Sequence, residues 1–85
     1  MEITVTKTNE ETGETKDFVF KYSNGTVQAG SLNKPSTLTV HKFICKDLKE
    51  PDNEVFFMSD PENRDQKSIE DMLPILQKQA EALVG

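Results

Sequence analysis

The residues best suited to chemistry in this chain are His41 and Cys45, its only histidine and its only cysteine. A zinc site built from histidine and cysteine needs four such ligands, so one chain cannot assemble it. Both residues fall in a predicted β-strand, where four positions separate them by about 13 Å at about 3.3 Å per residue. Because that distance exceeds hydrogen-bond reach, we expect a strand-surface histidine and a small buried cysteine instead of a catalytic pair.

Serine chemistry and phosphate binding have no better support in the sequence. No Gly-x-Ser-x-Gly motif occurs, and the serines nearest to His41, Ser31 and Ser36, flank a predicted turn. The glycines are spread over separate turns, so no single loop gathers them to cradle a phosphate group. We therefore expect a protein that is not an enzyme and that binds no cofactor.

A calcium site is the one metal hypothesis that the spacing of acids allows. Asp60, Glu62 and Asp71 would occupy positions 1, 3 and 12 of an EF-hand-like loop. Position 5 would then be Arg64, a cation where an oxygen ligand is needed, and position 6 would be Asp65 instead of glycine. These mismatches argue against calcium, and we expect no bound metal.

Length and composition narrow the class of protein. The 85 residues predict a single domain over 1–85, and 34% hydrophobic residues predict a small core. The longest apolar run has four residues, which excludes a membrane helix. The chain starts at Met1 without a secretory signal pattern, so we expect a complete product. The lone cysteine then predicts a cytoplasmic location.

Charge is distributed unevenly along the chain. The formal net charge is −5 overall, but residues 25–50 carry +2 and residues 51–85 carry −5. The acidic total argues against a general nucleic-acid binder. The last third of the chain is therefore the expected source of any acidic surface.

Alternating apolar and polar residues predict five strands, over 2–8, 16–22, 26–31, 37–47 and 54–58. Between the second and third, Asn24-Gly25 favours a tight type I′ turn, because both residues tolerate positive φ. The fourth strand alternates imperfectly, since Val40 and Phe43 fall on opposite faces. A β-bulge near His41 would bring them to one face, and the alternative is that both faces are partly covered.

An amphipathic helix is predicted over 68–84. Ser68 and Asp71 resemble a capping box at its start. Pro74 would then lie in the sixth helical position and bend the helix, whereas a helix capped by Asp71 would hold it harmlessly in the first turn. We favour the start at Ser68, after a polar turn near 61–67. The apolar face of the helix comprises Ile69, Met72, Leu73, Leu76, Ala80 and Leu83.

Together these elements predict an α+β fold, an antiparallel β-meander of about five strands with one C-terminal helix packed on one face. The core is predicted to combine side chains from the sheet and from the helix. They are Ile3, Val5, Phe18, Phe20, Val27, Leu38 and Val40 from the sheet, and Ile69, Met72, Leu73, Leu76 and Leu83 from the helix.

Recognition of another protein is the leading functional hypothesis. An apolar run, 55–58, is surrounded in sequence by acids, as in interfaces where aromatic residues anchor and charges steer. It predicts a small acidic binding module that docks on or occludes a basic partner surface, in an accessory or inhibitor-like role. The alternative is that both phenylalanines enter the core. The candidate partner-binding residues are Asp52, Glu54, Phe56, Phe57, Asp60, Glu62 and Asp65.

Two further hypotheses remain open. An unclosed sheet has two edge strands, and strand 2–8 carries no proline to block pairing, which allows a structural subunit that self-assembles or joins a larger complex. The basic middle third allows weak nucleic-acid binding, although a single arginine argues against it. The lysines in question are Lys34, Lys42, Lys46 and Lys49.

Overall fold

The computed structural model describes residues 1–60 and 68–85. Its elements are β1 (Glu2–Thr8), β2 (Thr15–Gly30), β3 (Pro35–Cys45), β4 (Glu54–Ser59) and α1 (Ile69–Val84). The strands form one antiparallel sheet in the order β1-β2-β3-β4. The predicted α+β meander with a C-terminal helix is confirmed, with four strands in place of five. The polar turn expected near 61–67 lies outside the described residues.

The turn predicted at Asn24-Gly25 is wrong, and this error produced the extra strand. Neither residue has the positive φ that a type I′ turn requires. Instead β2 runs through both of them, with Asn24 opposite His41 and Gly25 opposite Val40. Eleven consecutive pairs between β2 and β3 outweigh the local preference of the dipeptide, because alternate pairs add ladder hydrogen bonds and every pair adds cross-strand contacts.

The chain reverses at Gly30 instead. Gly30 has φ +86°, and a Cβ there would collide with the carbonyl oxygen of Lys34. The Lys34 N–H donates to the Ser31 carbonyl and to the Ser31 hydroxyl, each at 3.1 Å. Pro35 then opens β3, at a strand end where the loss of an N–H is tolerated.

No β-bulge interrupts β3, so the alternative of two partly covered faces is the correct one. The pairing register with β2 is constant from Phe20–Cys45 to Gly30–Pro35. Val40 and Phe43 therefore point to opposite faces, and both are buried. We call the face toward α1 the inner face and the other the outer face.

Helix α1 begins where the capping box predicted. Ser68 accepts a hydrogen bond from the Asp71 N–H, and the Asp71 carboxylate accepts one from the Ser68 N–H, both at 3.3 Å. Asp71 is thus not the cap, and Pro74 lies inside the helix. At the other end Gly85, with φ +92°, donates its N–H to the Glu81 carbonyl.

The core lies between the inner face and α1, which packs against β1 and β4, the two edge strands. The sheet must therefore curl around the helix. Three predicted core residues, Val27, Leu38 and Val40, belong instead to the outer face. Val27 is exposed, Leu38 is half-buried, and Val40 is buried apart from the main cluster. The buried cluster comprises Ile3, Val5, Phe20, Phe43, Cys45, Val55, Leu76, Ala80 and Val84.

The last four residues of β2 and the first four of β3 extend beyond the pairing with β4 as a two-stranded ribbon. The molecule measures 59 × 25 × 17 Å, and its radius of gyration is 15.8 Å, against about 12 Å for a compact chain of this length. Leu32 at the ribbon tip is fully exposed. Within the described residues, no helix is sufficiently long and apolar to cross a bilayer.

Candidate functional site

Two large apolar side chains of β4 face solvent on the outer face of the sheet. Phe56 is 47% exposed and Met58 is 46% exposed. They share this face because alternate residues of a strand point the same way. The half-buried Glu54 completes the row. We call these three residues the β4 surface. The sequence left open whether both phenylalanines of β4 enter the core. Phe56 does not, because it is presented to solvent.

Phe57 points the other way, into the inner face. Its ring stacks on the His41 imidazole, with centroids 4.7 Å apart and an interplanar angle of 15°. It also packs against the buried cluster. The two adjacent phenylalanines therefore have different surroundings, and of these two partner-site candidates only Phe56 is largely exposed to solvent.

The neighbours of the β4 surface across the sheet come from β3. Lys42 lies directly opposite Phe56, and Val40 lies directly opposite Met58. Lys42 is half-buried there. The aromatic ring is thus flanked on the sheet by a cation. The acidic residues near this surface lie at the start of β4 and in the turn before it.

Of the acidic candidates, the structure places three. Glu54 belongs to the β4 surface, Asp52 is exposed in the turn just before it, and Asp60 is half-buried just after the strand. Glu62 and Asp65 lie outside the described residues, as does most of the EF-hand-like loop. Among the residues described, no three histidine, cysteine or acidic side chains come together as metal ligands.

A groove runs between β4 and the last turns of α1. Its volume is about 440 Å³, which is within the usual range of about 300–1,000 Å³ for ligand pockets. We call it the β4–α1 groove. It is lined by Glu54, Val55, Phe56, Gln79, Ala82 and Leu83. Apolar side chains dominate this lining, and within residues 1–60 and 68–85 Glu54 is the charged residue that contributes to it.

The pairing of β4 with β3 determines which backbone groups of β4 face away from the sheet. The Cys45 N–H donates to the Asn53 carbonyl at 2.8 Å, which marks these opposed residues as a hydrogen-bonded pair. Such pairs alternate with non-hydrogen-bonded ones in antiparallel sheets. Glu54 and Phe56 therefore belong to non-hydrogen-bonded pairs with β3, and their N–H and C=O groups point away from β3. Since β4 is an edge strand, these groups face outward.

His41 forms a polar network that the sequence did not reveal. The Tyr22 hydroxyl lies 2.7 Å from His41 Nδ1, and the Ser59 hydroxyl lies 3.0 Å from Nε2. A serine next to a histidine that a third group orients is an arrangement used by nucleophilic enzymes. Only the β3–β4 register brings Ser59 close, so the serines nearest in sequence were misleading.

The contacts of His41 hold its ring in place within the sheet. Both ring nitrogens of His41 are engaged, and its ring stacks between Phe57 and Tyr22, the latter with centroids 5.9 Å apart. The imidazole thereby links β2, β3 and β4 on the inner face. Cys45, four residues along, is fully buried among apolar side chains, and the two residues occupy separate surroundings.

The lysines proposed for nucleic-acid binding do not gather into one patch. Lys34 is exposed in the ribbon turn, and Lys46 follows the opposite end of β3, about 40 Å away along the strand at about 3.3 Å per residue. Lys49 is exposed in the turn before β4. Lys42 and Lys46 share the outer face with Lys21, but three lysines supply few phosphate contacts.

A second concavity, of about 680 Å³, lies at the β1–β2 turn. Apart from the half-buried Phe18, every residue that lines it is exposed, so it is a feature of the hairpin surface. Lys16 places its ammonium group 5.0 Å above the Phe18 ring there. The mixture of lysines and glutamates gives no preference for a ligand of either charge.

No protein-family model, no curated protein and no solved structure matches this chain.

Proposed function

We propose that the protein is a small, non-enzymatic protein-binding module that docks through the β4 surface. The observation that carries the proposal is the simultaneous exposure of Phe56 and Met58 on one face of one strand. A small chain with a thin core loses burial by leaving two large apolar side chains outside. Burying their exposed halves against a partner would contribute about 1 kcal/mol each, as anchors of an interface.

The acids in and beside the β4 surface indicate the charge of the partner that it would bind. Asp52 and Glu54 lie at the start of β4, and the chain from 51 to 85 carries a net charge of −5. Acids at the rim of an apolar patch attract a basic surface and accelerate association. We therefore propose a partner with a basic surface, which the protein covers or occludes in an accessory or inhibitor-like role. A cytoplasmic setting stays a prediction, with which a reduced Cys45 agrees.

Self-assembly is the second candidate, because the sheet has two edges. Part of the β1 edge is already occupied, since Gln77 donates its side-chain N–H to the Thr4 carbonyl at 3.2 Å. The β4 edge is the better candidate for pairing with another copy. Light scattering over a range of protein concentrations distinguishes the two functions, because only a self-assembling subunit gains mass as concentration rises.

The test of the binding function uses Phe56→Asp, with Ile75→Asp as its control. Ile75 is also a large apolar residue with 41% exposure, but it lies on α1. Proteins captured from the cells that naturally express this chain should be lost with Phe56→Asp and retained with Ile75→Asp. Unchanged capture by Phe56→Asp would contradict the proposal. Circular dichroism melts of both variants establish that each remains folded.

A further inference from the structure

We propose that the β4–α1 groove holds an extended, basic segment of a partner protein, which adds to the sheet as a new strand beside β4. The inference rests on the proposed function and specifies how the partner is held. Strand addition to a sheet edge is a general mode of peptide recognition, in which main-chain hydrogen bonds supply affinity and side-chain pockets supply specificity.

The backbone supplies the first argument. The outward-facing N–H and C=O groups of Glu54 and Phe56 form the repeating donor and acceptor pattern that an added strand needs. These two residues are separated by one position, so they match one full repeat of an antiparallel or parallel ladder. A globular partner surface would leave these groups to water, whereas an extended segment satisfies them directly.

The groove walls supply the second argument. In an added strand, alternate side chains would enter the groove between Val55 on one side and Ala82 and Leu83 on the other. The remaining side chains would lie on the outer face beside Phe56. The small Ala82 leaves room for an incoming apolar side chain of moderate size. The segment that fits best therefore places valine-like residues at every second position.

Charge supplies the third argument and selects the occupant. Among the described residues that line the groove, Glu54 is the charged one, and exposed Asp52 lies just before it. A lysine or arginine in the segment would pair with these acids. A second copy of this chain could offer only a β1 edge whose Thr4 carbonyl already accepts a hydrogen bond from Gln77, or its own β4 edge. Pairing through two β4 edges would bring a second Asp52 and Glu54 to the interface, where like charges repel. A basic segment of a different protein is the better match.

The experiment uses a defined peptide, an octamer of alternating valine and lysine with blocked ends. Titration into ¹⁵N-labelled protein should shift the amide signals of Glu54, Phe56, Gln79 and Ala82 with saturation at millimolar or lower peptide concentration. Hydrogen exchange of the Phe56 amide should slow at least about 10-fold, because one strand hydrogen bond protects it. The same peptide with alternate amides N-methylated should bind at least about 10-fold more weakly.

A matched pair of variants tests the location. Ala82→Tyr fills the groove from an exposed position of α1, and Ile75→Tyr adds the same ring elsewhere on that helix. We expect Ala82→Tyr to weaken peptide binding at least about 10-fold and Ile75→Tyr to leave it unchanged. Equal binding by the N-methylated peptide, or equal effects of the two variants, would overturn the proposal.

Three further outcomes separate this inference from its alternatives. Protection of the Phe56 amide without peptide, increasing with protein concentration, would identify a second copy as the occupant and overturn a partner segment. Partner capture that Phe56→Asp abolishes but Ala82→Tyr leaves intact would refute strand addition while the proposed function stands. Capture that survives Phe56→Asp refutes the proposed function, and the peptide titration then decides on the groove alone.

Discussion

Phe56 and Phe57 are consecutive residues of β4 with opposite surroundings. Phe57 stacks 4.7 Å from the His41 ring on the inner face, and Phe56 is 47% exposed beside Lys42 on the outer face. We expect Phe57→Ala to lower the free energy of unfolding by about 2–3 kcal/mol, somewhat less than a fully buried phenylalanine would. Phe56→Ala should change it by less than about 0.5 kcal/mol. Urea unfolding measures both, and equal losses would contradict the division of roles.

Gly25 and Gly30 should respond oppositely to alanine. Gly25 has ordinary strand geometry, and an added Cβ would meet no atom within 4 Å, so Gly25→Ala should stabilise the protein by about 0.4–1 kcal/mol. Gly30→Ala should destabilise it by at least about 1–2 kcal/mol, because φ is +86° and the Lys34 carbonyl blocks a Cβ. Thermal unfolding of the two variants side by side is the measurement. A larger loss of stability in Gly25→Ala than in Gly30→Ala would support the turn at Asn24-Gly25 that the sequence predicted.

Pro74 should weaken α1. It lies at the sixth helical position and lacks the N–H that would bond the Glu70 carbonyl. Pro74→Ala should raise the free energy of unfolding by about 1–2 kcal/mol, after allowance for the freer unfolded chain. Chemical denaturation followed by circular dichroism at 222 nm reports it. Gln79→Ala, an exposed change elsewhere in the helix, is the control and should have an effect below about 0.5 kcal/mol.

The hydroxyl of Tyr22 should contribute to stability through His41. Tyr22→Phe removes the partner of Nδ1 at 2.7 Å in a partly buried position, so we expect a loss of about 1–2 kcal/mol. Asn24→Ala removes only an exposed contact of 3.3 Å to the same hydroxyl, and its cost should be below about 0.5 kcal/mol. Differential scanning calorimetry compares the two. An unchanged melting temperature in Tyr22→Phe would show that the Tyr22–His41 hydrogen bond does not contribute to stability.

Charge reversal at the start of β4 should slow partner association. Asp52→Lys combined with Glu54→Lys should reduce the association rate roughly 10-fold at low salt and less at high salt. Glu2→Lys combined with Glu70→Lys makes the same change in net charge at exposed positions elsewhere. Stopped-flow or biosensor kinetics with the captured partner measures the rates. A similar slowing in both double variants would indicate a general charge effect without a steering site.

The sequence predicts the helix better than the sheet, for a physical reason. The capping box of Ser68 and Asp71 is local, since both partners lie within one turn. The apolar face that starts at Ile69 is likewise set by short spacing. The turn predicted at Asn24-Gly25 also rests on a local pattern. The conformation of this segment depends instead on eleven pairs with β3, a separate strand further along the chain. Long-range pairing determined the structure there, and no single residue signals it.

The site shows the same division. The exposure of Phe56 follows from strand alternation once β4 is known, but alternation alone does not say which phenylalanine faces α1. Ser59 reaches His41 only through the β3–β4 register, and the groove needs Ala82 of the helix beside the strand. Contacts between two elements thus could not be predicted from the sequence, whereas the types of residue that make them could be read from it directly.

The position of α1 across both edge strands has a consequence for synthesis of the protein. Gln77 holds the Thr4 carbonyl, and Lys7 reaches the Val84 carbonyl at 3.4 Å. Each bond joins the first strand to residues more than 70 positions later. Until the ribosome has released α1, the apolar side of β1 has no cover. The sheet therefore cannot complete its core before the helix has been synthesised, and the uncovered sheet is the stage at which a chaperone or an early partner would meet it.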